Sequence, residues 1–227
     1  MDRATPAVLA QIPLFRRVAP EDRERLAAVA SVKSYDRGEH VFHEGDGSDF
    51  FYVVVTGRVK VYKIAPSGNH LILEIFGPGG PLGAVAAYES RPYPASASAL
   101  EPSSCLLIPR QAFFALLEQH PSLVRGLLGS LSLRLVELTT RLAELTGGRI
   151  EVRFARLFLK LADQLGRPDR GGIFIPLALS RQELADLTGT TIETCIRIMS
   201  RWGKDEVLRT EKDGFVMLDR ATLEGMA

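Results

Sequence analysis

Apolar residues recur at two different spacings along the chain, and each change of spacing marks a new region. From position 6 to about position 30 they fall at helical intervals, which predicts short helices. From Val32 to Pro109 short apolar runs alternate with glycine-containing turns, which predicts strands. The predicted strands are 41–42, 50–55, 59–64, 71–76 and 105–108. Short strands at this spacing predict an antiparallel β-roll or barrel.

Helical spacing returns after Pro109. A helix is predicted over 111–118, and a longer one runs from Pro121 to about position 146. In the longer helix leucines recur alternately three and four residues apart with polar residues on both flanks, a heptad seam that favours a partner helix. Packing of this helix on its own β-roll is the alternative. The seam consists of Leu128, Leu131, Leu135, Leu138, Leu142 and Leu145.

The region after the long helix opens with two glycines and then alternates helix and strand. Gly147 and Gly148 are predicted to end the helix and to act as a hinge, because glycine restricts φ and ψ little. A helix over 150–165, a loop over 166–172 and a strand over 173–177 follow. Near the end, strands over 207–210 and 215–218 flank an Asp-Gly hairpin signal. This hairpin resembles a wing with Lys212 at its tip.

The stretch from Leu179 to Trp202 predicts a helix-turn-helix. Ser180 and Glu183 form a capping box for a first helix, and Thr191 caps a second. Gly189 tolerates the positive φ of the turn, and small Ala185 lets the helices approach. An ordinary helical hairpin is the alternative. The residues predicted to point inward are Leu184, Leu187, Cys195, Ile198 and Met199.

The outward residues of the second helix have the chemistry to recognise bases. Arg197 can donate two hydrogen bonds to guanine, and Glu193 can accept one from cytosine N4. The predicted base contacts are Glu193, Thr194, Ile196 and Arg197. The predicted DNA backbone contacts are Ser180, Arg181, Gln182, Thr190, Thr191, Arg201 and Lys212.

Composition fits a globular chain of modest size. A hydrophobic fraction of 46% in 227 residues is enough for two domains, and 28 basic against 27 acidic residues leave no general basic excess. DNA binding must therefore depend on a local patch of basic residues.

Cys105 and Cys195 are predicted as core residues in a reducing cytoplasm. No segment predicts a membrane span. No grouping of residues predicts a catalytic or metal site.

The helix-turn-helix pair Glu193 and Arg197, with the turns at Gly38, Gly45 and Gly57, resembles the CRP/FNR family of bacterial transcription regulators. The resemblance implies an α+β fold with a β-roll sensor of cyclic-nucleotide-binding type at 1–120, a dimerisation helix and hinge at 121–147, and a winged helix-turn-helix at 148–227. It also implies a homodimer on double-stranded DNA, with RNA polymerase as a partner.

Two departures from the family pattern bear on the DNA site. Ile192 lies where cyclic-AMP-responsive members have a further base-reading arginine, which favours a half-site of the TTGAT kind over a TGTGA kind. Ile196 lies where FNR-type members have serine. The outermost thymine positions of the half-site therefore stay open.

The sensor departs further from its cyclic-nucleotide-binding relatives. Ala84 lies at the position of the glutamate that binds ribose, and Pro94 and Ala95 lie at those of the arginine and serine that bind phosphate. Leu138 replaces a threonine that contacts the base. Losing a bidentate arginine contact to a buried phosphate costs on the order of a few kcal/mol, which argues against cyclic AMP.

The residues available to bind an iron–sulfur cluster or haem bear on the other possible effectors. The iron–sulfur cluster of FNR is excluded, because no cysteine lies near the N-terminus. The run 91–97 resembles the haem-binding, nitric-oxide-responsive regulators of dissimilatory nitrate respiration. The predicted apolar pocket consists of Pro81, Leu82, Val85, Tyr93 and Leu138.

An axial haem ligand is harder to assign. His40, His43, His70 and His120 are the candidates, but Val85 occupies the haem-histidine position of the carbon-monoxide-sensing relative. Haem with nitric oxide and control by abundance without an effector both stay open. A cyclic-nucleotide module of a kinase or channel, which would share only the β-roll, is the alternative from another class.

Overall fold

The computed structural model describes residues 2–16, 18–65, 68, 70–84, 86, 91–147, 149–169 and 171–227, with the backbone alone at 122, 130, 133, 134, 137 and 141–147. The chain forms two compact units, one ending at Leu135 and the other beginning at Val136. The boundary lies inside the helix Pro121–Gly147.

The N-terminal unit begins with helical segments that prolines start. Pro6, Pro13 and Pro20 each occupy the first position of a segment, where the absent N–H costs nothing. These segments confirm the helices predicted before position 30. The elements are β1 (Asp2–Arg3), α1 (Pro6–Gln11), a 3₁₀ turn (Pro13–Phe15) and α2 (Pro20–Val29).

Two antiparallel sheets follow and confirm the predicted β-roll. One sheet has the order β1-β2-β9-β4-β7 and the other β3-β8-β5-β6. The strands are β2 (Ser31–Tyr35), β3 (His40–Phe42), β4 (Phe50–Thr56), β5 (Val59–Ile64), β6 (His70–Phe76), β7 (Pro81–Leu82), β8 (Ser96–Ala99) and β9 (Ser103–Pro109), and the helices α3 (Arg110–Gln119) and α4 (Pro121–Gly147) come after them.

Strand β4 serves two cores, because successive side chains of a strand point to opposite faces. Tyr52 and Val54 lie in the core between the two sheets. Phe51 and Val53 lie in a second core against the helices, where the ring of Phe51 stacks on that of Phe113 with centroids 3.9 Å apart. The five-stranded sheet is therefore covered on both faces.

Strands β1, β2, β7 and β8 were not predicted from the sequence pattern. In β8 all four side chains are buried, yet they are only serine and alanine. The Oγ of Ser96 accepts a hydrogen bond from the backbone N–H of Glu44 at 2.9 Å, so a buried hydroxyl is satisfied by a neighbouring turn. Small side chains lack the apolar signal by which strands are recognised.

Helix α4 has two apolar faces. Leu123 and the partly buried Leu127 pack against the core that α3 also contacts. Leu128 and Leu135 of the predicted seam are 57% and 64% exposed, Leu138 is 42% exposed and Leu131 is partly buried. The side chains of Leu142 and Leu145, like Gly148 of the predicted hinge, lie outside the described residues.

The C-terminal unit combines helices with an antiparallel sheet of the order β10-β11-β13-β12. Its core contains Trp202, whose ring meets those of Phe154 and Phe158 edge-on, and Phe215. The elements are α5 (Ile150–Leu165), β10 (Arg167–Asp169), β11 (Gly172–Ile175), α6 (Arg181–Thr188), α7 (Ile192–Lys204), β12 (Leu208–Glu211), β13 (Gly214–Met217) and α8 (Arg220–Met226).

The predicted loop over 166–172 is wrong in part, because it contains strand β10. Arg167 pairs with Phe174 and Asp169 with Gly172, which makes β10 the edge strand of the sheet. Proline is tolerated on an edge strand, since one side of that strand has no ladder to complete. Pro168 therefore made the sequence resemble a loop, although the strand forms.

Candidate nucleic-acid interface

The first helix of the helix-turn-helix begins as its sequence predicts. The Ser180 Oγ accepts a hydrogen bond from the backbone N–H of Glu183 at 3.1 Å, and Glu183 Oε2 accepts one from the backbone N–H of Ser180 at 2.8 Å. The capping box is confirmed, and it fixes the start of α6.

The turn between α6 and α7 has the geometry that glycine permits. Gly189 adopts φ 63° and ψ 46°, in the left-handed region, and ends α6. The N–H of Thr190 then donates to the carbonyl of Ala185 at 3.0 Å. Thr191 caps α7 by accepting from the N–H of Thr194 at 3.3 Å. The predicted turn and second cap are both confirmed.

The inner face of α7 is apolar and fixes the helix to the unit. Cys195, Ile198 and Met199 are all buried, as predicted, and Trp202 extends the same face. Burial raises the pKa of the Cys195 thiol to about 11, so the thiol stays protonated at neutral pH. Cys195 is thus a core residue.

The outer face of α7 is a single exposed stripe. Glu193, Ile196 and Arg197 are exposed, and so are residues one and two turns further along the helix: Ser200, Arg201 and Lys204. Hydrogen bonds from its own backbone N–H and from the Thr191 side chain lower the pKa of Glu193. Glu193 therefore carries a carboxylate that can accept hydrogen bonds at neutral pH.

Thr194 differs from the other predicted base contacts. Its side chain is partly buried, and its Oγ1 lies 3.3 Å from the Thr191 Oγ1 that also caps the helix. The hydroxyl of Thr194 is thus drawn into the cap. Of the predicted base contacts, only Glu193, Ile196 and Arg197 lie fully on the outer stripe.

Arg181 and Gln182, two of the predicted backbone contacts, use their side chains in hydrogen bonds within the chain. Arg181 Nη2 donates to Thr210 Oγ1 at 2.8 Å, which joins the start of α6 to the wing strand β12. Gln182 Nε2 donates to Asp186 Oδ1 at 2.7 Å within α6. These bonds orient both side chains near the start of the helix.

The remaining predicted backbone contacts vary in exposure. Lys212 is exposed in the turn between β12 and β13, as a wing tip requires, and Thr190 is partly buried. Arg201 forms an ion pair with Glu151 of α5. A phosphate would therefore compete with Glu151 for the Arg201 guanidinium.

Arg153 is a structural contributor that the sequence pattern did not indicate. Its Nη1 donates to the carbonyl of Thr188 at 2.8 Å and lies 3.4 Å from that of Gly189. A guanidinium at this point satisfies carbonyls at the C-terminus of α6 and interacts favourably with the helix dipole. The contact joins α5 to the turn from 35 residues away, beyond the range of any local motif.

The predicted effector pocket is partly filled by the chain itself. Tyr93 is buried between the sheets, where its ring stacks on Phe42 with centroids 4.1 Å apart and its hydroxyl donates to the Phe50 carbonyl at 2.7 Å. Burial raises the pKa of the Tyr93 phenol. A side chain at Gly83, whose φ is 70°, would collide with this ring.

The other predicted pocket residues lie in several places. Leu82 shares the inter-sheet core with Tyr93, whereas Ala84 packs against the helix-side core. Ala95 is buried, Pro81 is partly buried and Pro94 is exposed. Val85 lies outside the described residues, and Leu138 belongs to the C-terminal unit.

Of the four histidines that are candidate haem ligands, His40, His43 and His70 are exposed and His120 is partly buried. His40 Nε2 is 2.8 Å from Tyr62 Oη, and the ring of His43 stacks on that of His40. His70 is exposed, and His120 Nε2 lies 2.9 Å from Asp22 Oδ2.

Within the described ranges no three ligating side chains approach closely enough to hold a metal ion. No helix in those ranges is long and apolar enough to cross a membrane.

Two family models match the chain, one in each part. The cyclic nucleotide-binding domain matches residues 32–120, and the Crp-like helix-turn-helix domain matches residues 152–226. The solved structure of FixK2 from Bradyrhizobium japonicum superposes with a TM-score of 0.75 at 25% identity, over 87% of this chain and 97% of that one.

Similar regulators match almost from end to end. The CRP-like cAMP-activated global transcriptional regulator of Mycobacterium tuberculosis is 26% identical over 216 residues, which are 95% of this chain and 96% of that protein. The cyclic AMP receptor protein of Thermus thermophilus is 28% identical over 215 residues, with coverage of 95% and 96%. Since the two family models match in succession and these regulators match 95% of the chain, the chain belongs to the CRP/FNR family of DNA-binding transcription regulators.

Proposed function

We propose that the protein is a homodimeric transcription regulator that binds an FNR-like inverted repeat without cyclic AMP. The observation that carries the proposal is the outer stripe of α7, where Glu193, Ile196 and Arg197 are exposed above a buried inner face. Such a helix enters the major groove with its outer side chains against the bases. RNA polymerase as a partner and the cytoplasm as location remain predictions from the family resemblance.

The spacing of the two charged residues supports base recognition. Glu193 and Arg197 are one turn apart, about 6 Å along the helix axis. This distance lets one helix contact base pairs that are neighbours in a half-site. Arg197 donates to guanine O6 and N7 while the Glu193 carboxylate accepts from cytosine N4. Ile192 lies where cyclic-AMP-responsive members have a further base-reading arginine, and this absence favours a half-site of the TTGAT kind.

The exposed seam of α4 supports the homodimer. Leu127 already packs on its own β-roll, yet Leu128 and Leu135 are left uncovered in the single chain. The heptad spacing of the seam favours a second copy of the same helix. A two-fold dimer would present two α7 helices about 34 Å apart, which is one turn of DNA.

The sensor side chains support independence from cyclic AMP. The relatives from Mycobacterium tuberculosis and Thermus thermophilus carry cyclic AMP in their names. This chain has Ala84, Pro94 and Ala95 at the positions that bind the ribose and phosphate, and Tyr93 packs into the space between the sheets. A cyclic phosphate there would lack a guanidinium partner.

Selection from random duplex DNA tests the proposal. The full chain is purified and selected at one fixed salt concentration, with and without cyclic AMP. We expect the same two-fold repeat to be enriched in both arms. Failure to enrich any repeat contradicts the DNA-binding proposal. Enrichment only with cyclic AMP contradicts the independence of the sensor.

Arg197→Ala tests the assignment of the guanine contact. We expect the preference at one base pair of each half-site to relax, with a loss of about 1–3 kcal/mol for the best sequence. Competition binding with all four base pairs at each position measures this. Lys204→Ala, at another exposed position of α7, is the control and should leave the preference intact. Equal losses on all sequences would make Arg197 a phosphate contact.

A further inference from the structure

The outer stripe of α7 contains one side chain that does not fit a solvated surface. Ile196 is 49% exposed and lies between Glu193 and Arg197 in the sequence. Among the described residues from 149 onward it is the sole large apolar side chain that remains exposed. Every other large apolar residue of this region is at least partly buried. Ile196 is therefore an exception within its own domain.

The packing of the unit gives no reason for an isoleucine at this position. The inner face of α7 is formed by Cys195, Ile198 and Met199, which point away from Ile196. A β-branched side chain also lowers helix propensity, so an exposed isoleucine costs the helix slightly. The side chain gains its favourable contact only when something apolar covers it.

The major groove offers one apolar group at a base edge, the 5-methyl group of thymine. The phosphate backbone that flanks the groove offers charged oxygens instead. Glu193 suits the cytosine amino group and Arg197 suits guanine, so an apolar residue on the same stripe completes a set of three chemistries. We infer that Ile196 contacts the methyl group of a thymine near the guanine that Arg197 reads. The inference rests on the proposed function and refines its specificity.

Replacing thymine by deoxyuridine tests the contact, because the two bases differ only in the methyl group. In the selected duplex each thymine is replaced in turn, symmetrically in both half-sites. One position should then weaken binding of the unchanged chain by about fourfold per half-site, the factor for one buried carbon group. In Ile196→Ala the thymine and deoxyuridine duplexes should bind equally. Ile64→Ala, at an isoleucine of the β-roll that is 56% exposed, is the control and should keep the difference.

A reciprocal measurement uses cytosine at the same position. Changing cytosine to 5-methylcytosine adds the methyl group and should strengthen binding of the unchanged chain but not of Ile196→Ala. The inference is overturned if no thymine shows a deoxyuridine penalty, or if the penalty persists in Ile196→Ala. Both results require a duplex that the chain binds specifically, so they leave the proposed function intact. Failure of the selection itself would instead remove the proposed function.

Discussion

The outer stripe of α7 and the space around Tyr93 use polar groups in opposite ways. On α7 the Glu193 carboxylate and the Arg197 guanidinium face solvent. Around Tyr93 the hydroxyl already donates to Phe50, and the ring is held by Phe42. One region keeps its hydrogen-bonding groups at the surface, where a ligand reaches them. The other engages them within the chain.

This contrast teaches where ligand chemistry is retained in the molecule. The C-terminal unit presents the Glu193 carboxylate and the Arg197 guanidinium on an exposed helix face, while the β-roll engages the hydroxyl of Tyr93 within its own interior. The aromatic residues follow the same division. All five tyrosines lie at or before Tyr93, and the single tryptophan is Trp202. Tyrosine and tryptophan signals therefore report on different units.

Alkaline pH should produce the largest difference in stability between the two units. Burial raises the pKa of Tyr35, Tyr52 and Tyr93 above the ordinary 10 and that of Cys105 to about 12, whereas the C-terminal unit has Cys195, raised to about 11. The unfolded chain ionises first, so this stability is complete below the ordinary pKa values and is lost as the pH rises towards the folded ones. Each group contributes about 1.4 kcal/mol per pH unit.

Above pH 10 the N-terminal unit should therefore lose up to about 5.6 kcal/mol of unfolding free energy per pH unit, against about 1.4 kcal/mol for the C-terminal unit. Urea unfolding followed by near-ultraviolet tyrosine circular dichroism and by Trp202 fluorescence measures the two separately. Parallel losses in both signals would contradict the contrast.

Leu135→Glu should have the next largest effect. A charged side chain in the seam disfavours the dimer, and losing one of two linked half-site contacts lowers DNA affinity on the order of 100-fold. Val136→Glu is a matched control, because Val136 is 63% exposed but lies off the seam, next to Leu135 at 64%. Sedimentation and binding to the full repeat measure both. An unchanged dimer in Leu135→Glu would exclude this interface.

Tyr93→Phe should affect the β-roll and spare DNA binding. The change removes the hydroxyl that donates to the Phe50 carbonyl at 2.7 Å. We expect a loss of about 1 kcal/mol in the stability of the N-terminal unit. Urea unfolding monitored by circular dichroism measures it, with repeat binding as the companion assay. A large loss of DNA affinity would show that Tyr93 controls the DNA-binding unit.

Glu151→Gln should have the smallest effect. The ion pair with Arg201 is exposed, and such pairs contribute about 0.2–1 kcal/mol. Without its carboxylate partner, Arg201 is available for one further phosphate, which should steepen the salt dependence of binding by about 0.9 in logarithmic slope. Glu224→Gln removes a comparable exposed pair with Arg220 on α8 and serves as the control. Identical slopes would contradict the prediction that Glu151 withholds Arg201 from a phosphate.

The helix-turn-helix could be predicted because its signals are local. Ser180 and Glu183 form hydrogen bonds across one turn of helix, and the turn at Gly189 depends only on the positive φ that glycine itself permits. The interior of the β-roll could not be predicted in this way. The surroundings of Tyr93 come from β3 and β4 as well as its own loop, and β8 is buried by its neighbours with no apolar signal of its own.

The hydrogen bonds from α5 to the turn between α6 and α7 have a mechanical consequence. Arg153 and Glu151 belong to the same turn of α5. Arg153 donates to a carbonyl at the C-terminus of α6, and Glu151 pairs with Arg201 near the end of α7. A rotation of the α5 axis would therefore carry both helices with it as one block. Any signal that tilts this single helix would re-aim all the exposed side chains of the outer stripe of α7 together, with no need to refold that stripe.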